Sequence, residues 1–167
     1  MQFTFANLID GLEGICNVHT QLGAGKFFRT DEEFTQKMTS TDGYAMLASP
    51  ITGGLRGQNE SSIYKYFRAG FCINHPWQIG NHDAMQSTIT ECERIAHDIL
   101  ARMRHYSLAR GNTPTVFDNF DFNSVNTSII YLEMDQRIGV DVTFEVYEMD
   151  DLIFDTADAD GRWADLP

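Results

Sequence analysis

The chain has 167 residues, of which 43% are hydrophobic and 22% charged, and its 24 acidic and 12 basic side chains leave a formal net charge of −12. This length fits one domain with its own core, and the proportion of hydrophobic residues is too high for an intrinsically disordered chain. The negative charge argues against nucleic acid or an anionic membrane as the main partner, because both are bound through Lys and Arg. No run approaches the roughly 18 apolar residues that a transmembrane helix needs.

Two amphipathic helices are predicted. Residues 4–22 carry apolar side chains at the i, i+3, i+4 spacing of a helix, with Thr4 as the N-cap and Gly23 as the stop signal. Residues 83–106 have acidic side chains early and basic ones late, as the helix dipole favours. The second helix has the longer apolar stripe, formed by Met85, Ile89, Cys92, Ile95, Ala96, Ile99, Leu100 and Met103.

Several short segments predict strands and, together with the helices, a fold class. These segments are Phe27–Phe28, Tyr44–Ser49 (ended by Pro50), Ile63–Ile73, Thr115–Phe122, Ser128–Met134 and Gly139–Tyr147. The last two flank the short connector 135–138 and predict a β-hairpin, with Val140, Val142 and Phe144 on one face. The order helix, strands, helix, strands predicts a single α+β domain over residues 1–150. Its sheet is mostly antiparallel and four- to five-stranded, with both helices packed on one face.

Two polar, glycine-containing stretches predict loops, and the C-terminus predicts an acidic tail. Residues 29–43 and 51–62 are expected to be exposed, and the second stretch holds three glycines. Seven acidic side chains and one arginine lie between Glu148 and Pro167. We therefore expect residues 151–167 to form a solvated acidic tail or a strip that docks on a neighbouring subunit.

Two Cys-x-x-His pairs are the strongest metal candidates. Cys16 and His19 form one pair, and Cys72 and His75 form the other; together they offer the four ligands of a tetrahedral zinc site. Against zinc, Cys16 belongs to the apolar stripe of the first helix and Cys72 lies in a strand, where a thiol behaves as a small hydrophobic group. Packing is the favoured interpretation. Three cysteines, an odd number, do not predict a disulfide framework.

Three further motifs are weaker. Glu93 and His97 are neighbours at i, i+4 and, with His82 and His105, allow a hydrolytic or metal cluster, although a solvated helix face is favoured. The segment 23–26 (GAGK) lacks the other positions of a phosphate-binding loop. The segment 155–161 (DTADADG) lacks the first and last ligands of a calcium-binding hand. No cofactor is expected.

The order of features resembles the tail-terminator (tail-completion, neck) proteins of phages and prophages of Bacteroidetes hosts. An opening amphipathic helix is followed by a short strand that ends in Ser-Pro, here Ala45–Pro50. A long strand follows at Tyr64–Ile73, then a loop into a helix at Thr88–Met103. A closing strand begins with Gly-Val and alternates, here Gly139–Val146. The likeness covers about residues 3–147 and lies in pattern and order.

The resemblance implies a virion structural protein without catalytic, cofactor or metal residues. Such a protein forms a ring with copies of itself, expected to be a hexamer, that caps the tail tube and joins it to the neck or head–tail connector. Its partners are itself, the tail tube protein and the connector proteins, and it assembles in the cytoplasm of the host bacterium. Nucleic acid and membranes are not expected partners.

Interface residues are predicted from the 51–62 loop and the acidic tail. Glycines let a loop adapt to a neighbour, arginine is enriched in interface hot spots, and a surface of one sign orients docking. The predicted interface residues are Gly53, Gly54, Arg56, Gly57, Asp150, Asp151 and Asp155.

Two other function classes stay open at this point. One is an acidic protein-binding module, of the immunity or inhibitor type, that masks a basic partner. The other is a small metal-dependent enzyme that uses His82, Glu93 and His97.

Overall fold

A computed structural model describes residues 4–37, 42–57, 63–77, 80–108, 115–132 and 136–149. Within them lie three helices and five strands. The helices are α1 (Phe5–Val18), α2 (Asp31–Lys37) and α3 (His82–Leu108). The strands are β1 (Phe27–Phe28), β2 (Ala45–Gly57), β3 (Ile63–Pro76), β4 (Phe120–Leu132) and β5 (Arg137–Met149).

The strands form one sheet in the order β1-β2-β3-β5-β4, in which β1 and β2 are parallel and every other pair is antiparallel. The predicted α+β class and the mostly antiparallel sheet are therefore confirmed. Helices α1 and α3 pack on the same face of the sheet, which we call the helix face, as predicted. Helix α2 packs on the opposite face, the outer face.

The main core lies between the helix face and the two long helices. Alternate residues of β3 and β5 point into it, because successive side chains of a strand point to opposite faces. The predicted stripe of α3 is confirmed from Cys92 to Met103, whereas Met85 and Ile89 are only partly buried. From β5 this core receives Val140, Val142, Phe144 and Val146, each at most 2% exposed.

Helix α1 begins as predicted but ends earlier. The Thr4 hydroxyl accepts a hydrogen bond from the Asn7 backbone N–H at 3.2 Å, which is the N-cap interaction. The helix ends at Val18 because His19 is extended. Gly23, with a φ of +78°, donates its N–H to the Cys16 carbonyl and so closes the turn that follows the helix. The expected end at residue 22 is wrong.

Part of the predicted loop 29–43 is helix α2. The Thr30 hydroxyl accepts the Glu33 N–H at 3.1 Å, and the Glu33 carboxylate accepts the Arg29 N–H at 2.9 Å. These contacts resemble a capping box, whose Thr-x-x-Glu pattern is visible in the sequence. Phe34 is the buried residue of α2. One anchored aromatic ring, rather than an apolar stripe, holds this helix on the sheet.

The predicted end of β2 at Pro50 and the predicted loop after it are also wrong. Strand β2 continues to Gly57, paired with β3. Its register shifts between Ser49 and Thr52, so Pro50 lies at a β-bulge, where a residue without an N–H is tolerated. Residues 58–62, the remainder of that loop, lie outside the described residues.

The strand predicted at Thr115–Phe122 begins later than expected. Residues 116–119 form a turn in which the Asp118 carboxylate accepts hydrogen bonds from the N–H and the hydroxyl of Thr115, at 3.1 and 2.7 Å. Strand β4 then runs from Phe120 through the predicted hairpin strand to Leu132. The hairpin of β4 and β5 is confirmed, but the predicted connector 135–138 is wrong at its end, because β5 already begins at Arg137.

A buried arginine joins α2 to the outer face. Arg137 is 2% exposed and donates to the Asn74 side-chain oxygen at 2.6 Å and to the Gly43 carbonyl at 2.9 Å. Its guanidinium carbon lies 5.6 Å from the centre of the Phe34 ring. A buried charge is costly unless it is hydrogen-bonded, so these acceptors offset the cost of burying the Arg137 guanidinium.

Replacing Gly139 with Ala is expected to lower the free energy of unfolding by about 1–3 kcal/mol. An added Cβ would lie 2.0 Å from the Ile73 carbonyl oxygen and 2.8 Å from the Asn74 Cα, so β3 and β5 would have to separate. Urea unfolding followed by circular dichroism measures the change.

The matched control is Gly14→Ala on α1, where nothing lies within 4 Å of an added Cβ. This change should raise the free energy of unfolding by up to about 1 kcal/mol, because Ala favours helix over Gly. A Gly139→Ala protein as stable as the wild type would contradict the close approach of β3 and β5.

Candidate interaction surface

The segment 52–57 of β2 lies at one edge of the sheet. Strand β1 pairs only with Met46 and Leu47, so within the described residues the backbone of 52–57 is paired on one side only, with β3. We call this segment the β2 edge. Such an edge presents backbone N–H and C=O groups on which another strand can be added.

On the helix face, the β2 edge forms a shallow apolar depression. Phe5 and Leu55 are 46% and 54% exposed, and Gly53 lies between them. The Phe5 ring packs edge-on against Phe67, with ring centres 4.8 Å apart. An added Cβ on Gly53 would lie 3.3 Å from Phe67 and 3.4 Å from Phe5. The glycine therefore leaves the floor of the depression open to an incoming side chain.

On the outer face, Arg56 links β2 to β5 across β3. Its two guanidinium nitrogens lie 3.0 and 3.3 Å from the two carboxylate oxygens of Glu145. The guanidinium carbon also lies 4.1 Å from the centre of the Tyr66 ring, a cation–π distance. Gly54 gives Tyr66 room, because an added Cβ there would lie 3.0 Å from the ring. These contacts hold the β2 edge in the plane of the sheet.

Tyr147 completes this cluster. Its hydroxyl donates to the Glu145 carboxylate at 2.6 Å, and its ring lies 5.1 Å from that of Tyr64. The hydrogen bond to Glu145, with a smaller effect of burial, raises the pKa of Tyr147 from 10.0 to about 12. The folded-state pKa is the higher one, so this stabilisation is complete below pH 10 and is lost as the pH rises through about 12.

The structure brings four of the predicted interface residues onto one edge. Gly53, Gly54, Arg56 and Gly57 all belong to β2, in regular pairing with β3 instead of the predicted loop. Arg56 already has an intramolecular partner. The other predicted residues, Asp150, Asp151 and Asp155, lie outside the described residues, as does the rest of the acidic tail. That all seven form an interface stays a prediction.

The opposite edge of the sheet, β4, was not predicted as a contact surface. In the part of the chain that the structure describes, β4 pairs only with β5. Ile129 and Tyr131 are 48% and 53% exposed and lie opposite Val140 and Ile138, which places them on the helix face. The sequence did contain a signal, because residues 129–132 are apolar at four consecutive positions and so are apolar on both faces.

The two Cys-x-x-His pairs do not come together. Cys16 packs in the core of the helix face, whereas Cys72 packs with Phe34 on the outer face. Burial raises the pKa of both thiols to about 12, which disfavours the thiolate that binds zinc. His75 packs against Tyr44. The packing interpretation of the cysteines agrees with the structure, and a zinc site that uses both pairs is wrong.

The histidines of α3 are also apart. His82 begins the helix, and His97 lies 15 residues later, roughly 22 Å along its axis at 1.5 Å per residue. Glu93 and His97 are both exposed. Among the described residues, no three His, Cys, Asp or Glu side chains are grouped to hold a metal ion. The segment 155–161 lies outside these residues.

Comparison with known proteins leaves the family of this chain open: no protein-family model matches it, and no curated protein matches it. No helix in the described part of the chain is both long and apolar enough to cross a membrane.

Replacing Glu145 with Gln is expected to lower the pKa of Tyr147 towards its ordinary value of 10.0, because the charged acceptor of its hydroxyl is removed. Ultraviolet absorbance during an alkaline titration measures tyrosine ionisation. Tyr147→Phe identifies the contribution of this one residue among the six tyrosines. If Tyr147→Phe removed a group that titrates near pH 10 in the otherwise unchanged protein, the hydrogen bond to Glu145 would be absent in solution.

Proposed function

We propose that this protein is a non-enzymatic virion subunit that assembles into a ring, as a tail terminator or neck protein joining a phage tail tube to the head–tail connector. The observation that carries the proposal is the pair of open edges on opposite sides of one sheet. Each copy offers two different contact surfaces, so copies can join head to tail. Head-to-tail contacts close into rings when the rotation between copies allows it.

The residues at these edges support a protein contact rather than a catalytic one. Of the exposed large hydrophobic side chains, Phe5, Leu55, Phe122, Ile129 and Tyr131 lie at or beside the two edges. Burial of such side chains favours association, by about 1.5–3 kcal/mol for each one that is fully buried. The net charge of −12 makes the surface predominantly negative, and such a surface can orient docking on a basic partner.

The resemblance to phage tail-terminator proteins adds the biological setting. Of the segments that carry it, the strand 64–73 is the central β3, the helix 88–103 is most of α3, and Gly139–Val146 is most of β5. The Ser-Pro that was expected to end a strand lies instead at the bulge where the β2 edge begins. The features of the resemblance therefore build the sheet that ends in the two edges.

The proposal predicts a discrete ring in solution. Light scattering across protein concentration should give a mass that is a fixed multiple of the 18.9 kDa subunit, with six the expected multiple. If the protein alone is a monomer, addition of purified tail tube protein should produce the ring, because the ends of the tube then provide a template.

A protein that stays monomeric at every concentration and ignores tube protein would contradict the ring. That outcome would favour the acidic protein-binding module of the immunity or inhibitor type. A basic partner should then bind it with an affinity that falls steeply with added salt.

A further inference from the structure

The two edges have directions that suit each other. Strand β2 is antiparallel to β3, β3 to β5, and β5 to β4, so β2 and β4 run in opposite directions. When a second copy is placed beside the first with its helix face on the same side, β4 of one copy meets β2 of the next as an antiparallel pair. The sheet then continues through the contact.

Between residues 126 and 132, strand β4 has none of the sequence features that usually protect an edge. Isolated edge strands are commonly blocked by charged side chains, by Pro or by bulges. The register of β4 shifts between Asp121 and Asn126, but from 126 to 132 it is regular, and it has neither a charge nor a proline there. This length matches that of the β2 edge, residues 52–57. An edge this open is expected to be covered in the working assembly.

Shape selects one register for the pair. Residues that share a face must lie opposite each other, and the β2 edge has Gly53 and Leu55 on the helix face, opposite Phe67 and Lys65. With Gly53 opposite Ile129, the exposed Ile129 side chain enters the depression beside Phe5. Leu55 then lies opposite Thr127, and Arg56 lies opposite Asn126 on the outer face.

This register is compatible with a closed ring. Within one copy, Ile129 of β4 lies level with Ile73 of β3, and Gly53 of β2 lies level with Phe67 of β3. Ile73 and Phe67 are six residues apart along β3. Pairing Ile129 with Gly53 therefore shifts each copy by six residues relative to the next one. Six residues span roughly 20 Å, and the four strands β2, β3, β5 and β4 span roughly 19 Å across the sheet. The strands would therefore tilt by about 45° from the ring axis, within the 35–45° of closed sheets.

We infer that subunits join head to tail by pairing β4 of one copy with the β2 edge of the next, with Ile129 seated over Gly53 beside Phe5. The inference rests on the proposed ring and specifies the contact that builds it. The partner at the β2 edge is a second copy of this chain.

Cysteine cross-linking tests the pairing and its register. Two single variants, Leu55→Cys and Thr127→Cys, are mixed and oxidised; opposed residues of an antiparallel pair are close enough for a disulfide after a small adjustment. The native cysteines, Cys16, Cys72 and Cys92, are buried and do not compete. We expect a covalent dimer in the mixture and none in either variant alone.

The matched control for register replaces Thr127→Cys with Tyr131→Cys. Tyr131 lies on the same strand and face but about 13 Å further along, so it should not cross-link to Leu55→Cys. A cross-link to Tyr131→Cys instead would overturn the register and the seat for Ile129. A dimer formed by Thr127→Cys alone would show that β4 pairs with β4 of another copy, and would also overturn the inference.

A charge placed at the contact gives an independent test. Ile129→Lys should abolish the ring mass in light scattering, because the ammonium group would be buried over Gly53 without a partner. Val18→Lys is the control: Val18 is 68% exposed and lies roughly 20 Å along α1 from Phe5. The control variant should assemble as the wild type does, and circular dichroism should show both variants folded.

The results separate the contact from the function. A ring that survives Ile129→Lys, with no cross-link in the mixture, would overturn the edge pairing and leave the ring standing. A wild-type protein that stays monomeric with tube protein, and whose cysteine variants do not cross-link, would overturn both.

Discussion

The close pairing of β3 with β5 is the constraint on which the rest of the structure depends. The two strands pair without interruption from Tyr64 and Met149 to Pro76 and Arg137. Where they approach most closely the sequence has Gly70 and Gly139, whose added Cβ atoms would lie 2.4 and 2.0 Å from carbonyl oxygens of the partner strand. Helix α3 packs on this pair, α1 packs mainly on β2 and α3, and β2 and β4 are added to the two sides of the pair.

The two faces of the sheet are stabilised in different ways. The helix face is covered by apolar side chains of α1 and α3. On the outer face, α2 covers one end of the sheet, where its Phe34 ring contacts Arg137 of β5. At the other end, Arg56 forms an ion pair with Glu145 and a cation–π contact with Tyr66. Within the described residues, neither arrangement covers the outer sides of the β2 edge or β4.

In the described residues, the thiols and the histidines of α3 are dispersed, whereas the exposed apolar side chains are grouped. Cys16 and Cys92 are buried in the core of the helix face, Cys72 is buried on the outer face, and the histidines of α3 are spread along its length. The exposed apolar side chains, by contrast, are concentrated beside the sheet edges. The proposed head-to-tail pairing uses those edges together: backbone hydrogen bonds would supply affinity, and the fit of Ile129 over Gly53 would supply register.

The sequence by itself determined the elements whose signals are local. The helical stripe of α3, the Thr4 cap and the alternation of Val140, Val142 and Phe144 predicted their structures correctly, because each signal spans neighbouring turns or residues. Helix α2 was missed because its one anchor, Phe34, has no periodic pattern around it. The continuation of β2 past Pro50 was missed because a proline and three glycines usually end a strand. Only the tertiary structure decided that these residues lie at an edge, where a bulge tolerates Pro50 and pairing with β3 compensates for the glycines. Which strand is an edge is a property of the whole sheet, since it depends on neighbours distant in the chain.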